Sequence, residues 1–147
     1  MKNNKIKNAS PLDFDGIHFR SVFECDAYKE LLKNGFSPQY EVEKVVLFKG
    51  FKPRLCWYKN GIPKLTKKGN TKKELDITYT PDFKLEINGY NVYLEVKGFP
   101  NDVYPYKRKL FLYHIKDKPS LFFEINNMNG LRKTIELLKD ANTFTKN

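Results

Sequence analysis

Cysteine is scarce in this sequence. Cys25 and Cys56 are the only two among 147 residues, and neither belongs to a CxxC or His/Cys cluster. Two isolated cysteines predict neither a disulfide framework nor a zinc site, which favours a reducing, cytoplasmic setting. Long apolar runs are also missing, and none approaches the roughly 20 residues of a transmembrane helix. The charged N-terminus has no apolar stretch behind it, so we expect neither a secretory signal nor a membrane partner.

Acidic residues are the second shortage. Only 17 Asp and Glu stand against 27 Lys and Arg, which gives a formal net charge of +10 and a sequence pI near 9.5. Such an excess is typical of proteins that bind polyanions. Hydrophobic residues still make up 40% of the chain, enough to predict one folded domain over residues 1–147. Within it we expect a basic arm at 1–12, an irregular basic segment at 50–75 and a frayed tail at 141–147.

The order of periodic segments predicts an α/β domain with a mixed sheet. Helices are expected at 21–34, at 102–114 and after a capping Asn129, and strands at 39–48, 75–79 and 120–125. Asn60-Gly61 suggests a second hairpin, with residues 54–58 as one arm. The residues expected on the buried faces of the helices are Val22, Phe23, Ala27, Leu31, Leu32, Leu110, Tyr113, Leu131, Ile135 and Leu138.

The most informative stretch is a hairpin centred on Asn88-Gly89, a dipeptide typical of two-residue type I′ turns. With these residues as the loop, counting outward along both strands brings Asp82 opposite Glu95. Their Cβ atoms would lie roughly 5 Å apart, which is unfavourable for two like charges. Lys97 would share the face of Glu95. A cation such as Mg²⁺ between the carboxylates would relieve the repulsion.

The same hairpin allows a plainer interpretation. Apolar side chains alternate with polar ones on both strands, so one face suits a core and the other can simply be solvated. Lys97 would then pair with Asp82 or Glu95. The hairpin alone leaves both interpretations open.

A longer series of motifs surrounds the hairpin. In order along the chain it consists of Phe19-Arg-Ser-Val-Phe-Glu24, Gly35, Tyr40-Glu41, Tyr79-Thr-Pro-Asp-Phe83 and Glu95-Val-Lys-Gly98. Over about residues 16–115 this series resembles the PD-(D/E)XK nuclease superfamily, and within it the phage endonuclease I type of junction-resolving enzyme. Residues 50–75 look like an insertion relative to that type. The resemblance implies a restriction-endonuclease-like core, in which a mixed central β-sheet is flanked by helices.

The resemblance also implies roles for individual residues. Asp82, Glu95 and the Val96 carbonyl would hold Mg²⁺ or Mn²⁺, since oxygen ligands suit these hard ions. Glu24 would complete the acidic site, directly or through water. Lys97 would orient the attacking water and stabilise developing charge. The expected catalytic residues are therefore Glu24, Asp82, Glu95 and Lys97.

Two of the residues near this site have alternative roles. Ser21-x-x-Glu24 is also a capping box, in which Glu24 would only satisfy the Ser21 amide. Because the hairpin motif is also present, we favour a role for Glu24 in the metal site. Arg20 would contact a phosphate or pair with Glu41, and the sequence does not decide between these.

Several basic residues are candidates for DNA binding. They are Arg20, Lys67, Lys68, Lys72, Lys73, Lys107, Arg108 and Lys109. For the run 67–73 the alternative is a flexible solubilising loop, and for 107–109 it is a solvated helix face. His18 and His114 are expected to be structural or surface residues. Trp57, Tyr58 and Tyr93 would stack on unpaired bases or be ordinary core or sheet residues.

The function implied by the resemblance is a Mg²⁺- or Mn²⁺-dependent DNA endonuclease. The closest expectation is a homodimeric phage resolvase that cuts branched DNA such as Holliday junctions in the host cytoplasm. Some resolvases exchange elements between protomers, so Glu24 would then act in the partner's site. One alternative is a DNA-binding recombination or packaging accessory protein without catalytic activity. Another is a sequence-specific or transposase-type nuclease of the same superfamily.

Overall fold

The computed structural model describes residues 10–145. Ten strands, three α-helices and a short 3-10 helix form in this range. In chain order they are β1 (Leu12–Phe14), β2 (Ile17–Phe19), α1 (Val22–Lys33), β3 (Gln39–Tyr40), β4 (Val45–Phe48), β5 (Tyr58–Lys59), β6 (Ile62–Pro63), β7 (Ile77–Tyr79), β8 (Phe83–Ile87), β9 (Tyr90–Val96), α2 (Tyr104–Ile115), β10 (Ser120–Ile125), α3 (Met128–Lys139) and the 3-10 helix (Ala141–Phe144). The predicted mixed α/β class is confirmed.

A four-stranded sheet carries the fold, with strand order β10-β9-β8-β3. Strands β9 and β10 run parallel, whereas β8 is antiparallel to both β9 and β3, so the sheet is mixed. The parallel pair is joined through α2, because parallel neighbours need a long crossover. Strand β4 pairs with β7 in a separate two-stranded sheet.

The central hairpin has the predicted register. Asn88 and Gly89 both have positive φ angles, 51° and 81°, as a type I′ turn requires. Ile87 lies opposite Tyr90, and Phe83 lies opposite Leu94 at the far end of β8. The turn therefore determines which side chains of β8 and β9 face each other near the predicted site.

Apolar side chains pack on both faces of the central sheet. One cluster joins the sheet to α1 and α3 and includes Phe83, Val92 and Leu94. A second, smaller cluster brings Tyr93 together with Tyr79 and α2. Because neighbouring residues of a strand point to opposite faces, Glu95 lies on the same side as Tyr93, the side of α2.

The strand predicted over 39–48 is wrong, because the chain turns within it. Glu41 has a φ of 45°, and its N–H donates to the carbonyl of Asp82 at 2.9 Å. Strand β3 therefore stays on the central sheet while β4 leaves it to pair with β7. Apolar periodicity does not reveal such a change of partner.

The helix boundaries were predicted more accurately than the helix faces. In α2 the buried residues are Tyr104, Phe111 and Ile115, whereas Leu110 is half-buried and Tyr113 is 71% exposed. The buried residues of α2 are therefore seven and four positions apart, whereas the prediction had used a pair three positions apart.

Two further expectations on the helices need correction. In α1 Val22 and Leu32 are exposed, and Cys25 and Tyr28 are buried instead. Asn127, not Asn129, caps α3 by accepting from the Gly130 N–H at 2.8 Å.

Both predicted termini also differ. Of the arm expected at 1–12, residues 1–9 lie outside the described range, and Leu12 already begins β1. The tail expected to fray after 141 forms the 3-10 helix instead. Its Phe144 is buried against Tyr90, with ring centroids 5.5 Å apart. Residues 146–147 lie outside the described range.

The segment 50–75 forms its own small structure. The hairpin predicted at Asn60-Gly61 is present as β5 and β6, although much shorter than expected. Gly50 approaches the far end of the segment so closely that a Cβ there would lie 2.5 Å from the Glu74 carbonyl oxygen. Within residues 10–145, no helix combines the length and apolar content that a membrane span requires.

Truncating Phe111 tests the packing between α2 and the sheet. Its ring is fully buried, with the rings of Tyr79 and Tyr93 each at a centroid distance of 5.0 Å. We expect Phe111→Ala to lower the free energy of unfolding by about 3–5 kcal/mol in urea titrations. Tyr113→Ala, on the exposed side of the same helix, should change it by no more than about 0.5 kcal/mol. Equal losses in the two variants would contradict this packing.

Candidate metal and phosphate site

Two carboxylates meet where β8 begins and β9 ends. Asp82 directly precedes β8, and Glu95 is the next-to-last residue of β9. Continuing the ladder by one residue beyond Phe83 and Leu94 brings them opposite each other. They are only 3% and 4% exposed. The structure thus brings together the pair that the hairpin predicts.

Asp82 is held at both oxygens. Oδ2 accepts from the Val96 N–H at 2.7 Å, and Oδ1 lies 3.1 Å from Nη2 of Arg20. The backbone bond explains why the side chain stays between the strands. The arginine contact gives the buried carboxylate a counter-ion from the segment that leads into α1.

Glu95 is also held at both oxygens. The Tyr79 hydroxyl donates to Oε2 at 2.5 Å, and Nζ of Lys97 lies 3.2 Å from Oε1. The Lys97 ammonium also lies over the Tyr104 ring, 4.4 Å from its centroid. These contacts hold the lysine beside the carboxylates, as the plainer interpretation of the hairpin also expects.

Glu24 makes one of the two hydrogen bonds of a capping box with Ser21. Its N–H donates to Oγ of Ser21 at 3.2 Å, so Ser21 caps α1. The carboxylate turns away from the cap and accepts from the Tyr40 hydroxyl at 2.5 Å through Oε2. The side chain is buried, and its charge acts on Asp82. The Glu24 carboxylate therefore belongs with those of Asp82 and Glu95, which together we call the acidic cluster, and only its backbone N–H takes part in the cap.

Arg20 pairs with carboxylates in this structure. Its guanidinium contacts Glu41 as well as Asp82, yet the side chain is 60% exposed. The pairing with Glu41 that the sequence left open is thus present. The exposure leaves the guanidinium accessible to a phosphate group.

The buried acidic pair has unusual protonation behaviour. Burial, followed by the charges of Glu95 and Glu24, raises the pKa of Asp82 well above its ordinary value. Burial also raises the pKa of Glu95, although the Tyr79 hydroxyl and Lys97 partly offset this effect. Hydrogen bonds and cations thus reduce the cost of burying the pair but do not remove it.

A cleft opens beside these residues, with a volume of about 610 Å³. Glu95 and Lys97 line its wall, with Arg20 nearby. Lys44, which directly precedes β4, and Lys107 of α2 also line it. The cleft therefore combines two carboxylates, those of Glu41 and Glu95, with four cations, which suits an anionic group approaching from solvent.

The predicted DNA-binding residues have different surroundings. Lys107 lines the cleft, and Lys73 lines a neighbouring one. Arg108 instead pairs with Glu124 at 2.8 Å. Lys67, Lys68, Lys72 and Lys109 are exposed, and neither cleft includes them.

The histidines and the candidate base-stacking aromatics do not line the cleft. His18 pairs with Asp13 at 2.6 Å on the surface, and His114 is exposed, as expected. Tyr93 is a core residue, whereas Trp57 and Tyr58 are exposed on the segment 50–75.

The sequence interpretation missed the tyrosines that surround the carboxylates. Tyr40, Tyr79 and Tyr104 contact Glu24, Glu95 and Lys97 respectively. Tyr40 and Tyr79 stand inside the quoted motifs, so their recurrence beside acidic residues was the available signal. Lys44 had no comparable signal, because its place depends on the turn at Glu41.

The donor set fits a hard divalent ion in kind. Carboxylate oxygens are suitable ligands, and the cluster has more carboxyl groups than cations. Nevertheless, no three His, Cys, Asp or Glu side chains within residues 10–145 are arranged to hold a metal as they stand. The oxygens of Asp82 and Glu95 are engaged by protein donors, and Arg20 in particular would have to leave Asp82.

A family model described as "Protein of unknown function (DUF1064)" matches residues 4–129. The chain belongs to this DUF1064 family. The match includes the whole acidic cluster and the cleft beside it, but ends within α3. No curated protein and no solved structure matches the chain.

The raised pKa of Asp82 predicts how the stability of this DUF1064 protein depends on pH. An acid with a raised folded-state pKa binds more protons when folded, so it destabilises the protein as pH rises above about 4, the unfolded value. Asp82→Asn should therefore become stabilising relative to wild type over this range, by up to about 1.4 kcal/mol per pH unit. Urea unfolding in EDTA measures the difference.

Asp26→Asn provides the matched control, since Asp26 is exposed on α1. Because this side chain is solvent-exposed, the Asp26→Asn variant should not reproduce the stabilisation expected for Asp82→Asn. A difference for Asp82→Asn that stays flat with pH would mean that the carboxylate is effectively solvated.

Proposed function

We propose that this DUF1064 protein is a divalent-metal-dependent DNA endonuclease that hydrolyses phosphodiester bonds. The observation that carries the proposal is the buried pair Asp82 and Glu95 with Lys97 alongside, opening into a cationic cleft. Neither a solvated hairpin face nor a plain DNA-binding surface requires carboxylates to be buried side by side. A net charge of +10 supports a polyanionic substrate.

Asp82 and Glu95, with the Val96 carbonyl and Glu24, are the residues that would hold Mg²⁺ or Mn²⁺. The ion would supply charge neutralisation at the phosphate and a more acidic water. A requirement to bind this ion would explain an excess of carboxyl groups. The acidic cluster and the neighbouring Glu41 provide four, whereas within residues 10–145 only two cations, Arg20 and Lys97, contact them.

The chain's own residues would position the substrate. Lys97 is held between Glu95 and the Tyr104 ring, so its ammonium can donate to the attacking water or to a phosphate oxygen. Tyr79 keeps Glu95 oriented. Arg20 is exposed enough to exchange Asp82 for a phosphate oxygen when the carboxylate binds the ion.

Cleavage assays test the proposal directly. Wild type should nick supercoiled or branched DNA with Mn²⁺ or Mg²⁺, whereas Asp82→Asn and Lys97→Met should each lower the rate by about 10²–10⁴-fold. The losses follow because one variant removes a ligand and the other the ammonium beside it.

Lys84→Met is the matched control for Lys97→Met. Lys84 lies on the same hairpin but pairs with Glu43, outside the cluster. Its cleavage rate should stay within about twofold of wild type. Failure of the wild-type protein to cut any DNA with any divalent ion would favour the non-catalytic DNA-binding alternative, provided that DNA still binds.

Metal binding can be measured without substrate. Mn²⁺ at about 100 times its dissociation constant should stabilise the wild-type protein by about 2.7 kcal/mol, since the ion binds the folded state preferentially. Asp82→Asn should lose most of this gain in thermal unfolding, while Asp26→Asn should keep it. An unchanged gain in Asp82→Asn would place the ion elsewhere.

The resolvase assignment within this proposal needs a comparison of substrates. Preference for a mobile four-way junction over linear duplex of the same sequence would support it, together with a dimer by light scattering. Preference for one linear sequence would favour the sequence-specific or transposase-type alternative.

A further inference from the structure

A second cleft adjoins the candidate site. It has a volume of about 440 Å³, and we call it the lysine cleft after Lys44, Lys49 and Lys73, which line it. Val46 and Leu75 form its apolar wall. Both apolar side chains are exposed, Leu75 to 81%. A cleft with ammonium groups and open apolar surface suits a ligand that is anionic on one side and apolar on the other.

One carboxylate lies in the lysine cleft, but it is already engaged. Asp76 accepts from the Gly50 N–H at 2.7 Å and lies 3.4 Å from Nζ of Lys49. These contacts hold the segment 50–75 against β7. Three lysines still outnumber this one acid, so the cleft remains cationic.

The lysine cleft shares part of its wall with the cleft beside the acidic cluster. Lys44 and Thr78 line both of them. Lys44 directly precedes β4 and Thr78 lies in the middle of β7, so the small β4–β7 sheet forms the shared wall. A polymer whose phosphate lies near Lys97 can therefore extend along Lys44 into the lysine cleft.

We propose that the lysine cleft binds unpaired nucleotides of the strand whose phosphate lies in the neighbouring cleft. This inference rests on the proposed function, and it names single-stranded character as part of the substrate. Duplex DNA presents mainly phosphates to a surface, which need only lysines. Unpaired nucleotides also expose base faces and sugars, which cover apolar side chains such as Val46 and Leu75.

Binding measurements on the Asp82→Asn variant of the whole 147-residue chain test the inference without cleavage. The probes are a fluorescent oligothymidylate of about 12 nucleotides, long enough for a typical strand-binding groove, and a blunt duplex of the same length. Anisotropy in EDTA gives both dissociation constants. Adding Leu75→Asn should raise the single-strand constant about five- to tenfold and leave the duplex constant within twofold.

Leu55→Asn is the matched control, because Leu55 is 79% exposed on the same segment but lies outside both clefts. It should leave both constants within twofold.

A second pair of variants tests the charges. Lys52 and Lys59 are exposed on the segment 50–75 and lie outside both clefts, so they serve as the control pair. Lys49→Gln with Lys73→Gln should weaken single-strand binding and lower its salt slope more than Lys52→Gln with Lys59→Gln, since each lost phosphate contact lowers the slope by about 0.7.

Three outcomes would overturn the inference. Leu75→Asn would have no effect on single-strand binding, or would weaken both probes equally, or the two lysine pairs would behave alike. Its failure is distinguishable from failure of the nuclease proposal. If Leu75→Asn selectively weakened single-strand binding while the wild-type protein cut no DNA with any divalent ion, the cleft assignment would stand and the nuclease proposal would be refuted. If the wild type cut DNA but Leu75→Asn had no such effect, only the cleft assignment would fail.

Discussion

The burial of two carboxyl groups side by side is the constraint on which the rest of this structure depends. Asp82 and Glu95 come together because a two-residue turn determines the register of β8 and β9. Like charges in such a place destabilise a fold unless other groups compensate. The surrounding hydrogen-bond donors and cations provide this compensation, and they come from several separate segments.

Each compensating group arrives from a different part of the chain. Arg20 directly precedes the cap of α1, Tyr79 ends β7, and Lys97 directly follows β9. The helix α2 adds the Tyr104 ring beneath the lysine. The core clusters on both sides of the sheet therefore serve the site indirectly, because they hold these segments within hydrogen-bonding distance of the pair.

Local patterns predicted much of this arrangement and missed the parts that depend on distant partners. The Asn88-Gly89 turn and the alternation around it were sufficient for the register, since both are properties of neighbouring residues. The single strand predicted over 39–48 misses the turn at Glu41, and the predicted buried face of α2 is wrong. Both depend on which strand or sheet face a segment meets, and apolar spacing does not encode that choice.

By itself, the sequence determined the α/β class, the hairpin register and the positive charge, because propensity, turn chemistry and composition act over a few residues at a time. Only the tertiary structure decided that Glu24 turns from its cap toward Tyr40, that Arg20 pairs with Asp82, and that Lys44 joins two clefts. These contacts form between segments far apart in the chain, so their geometry follows from packing and not from any local pattern.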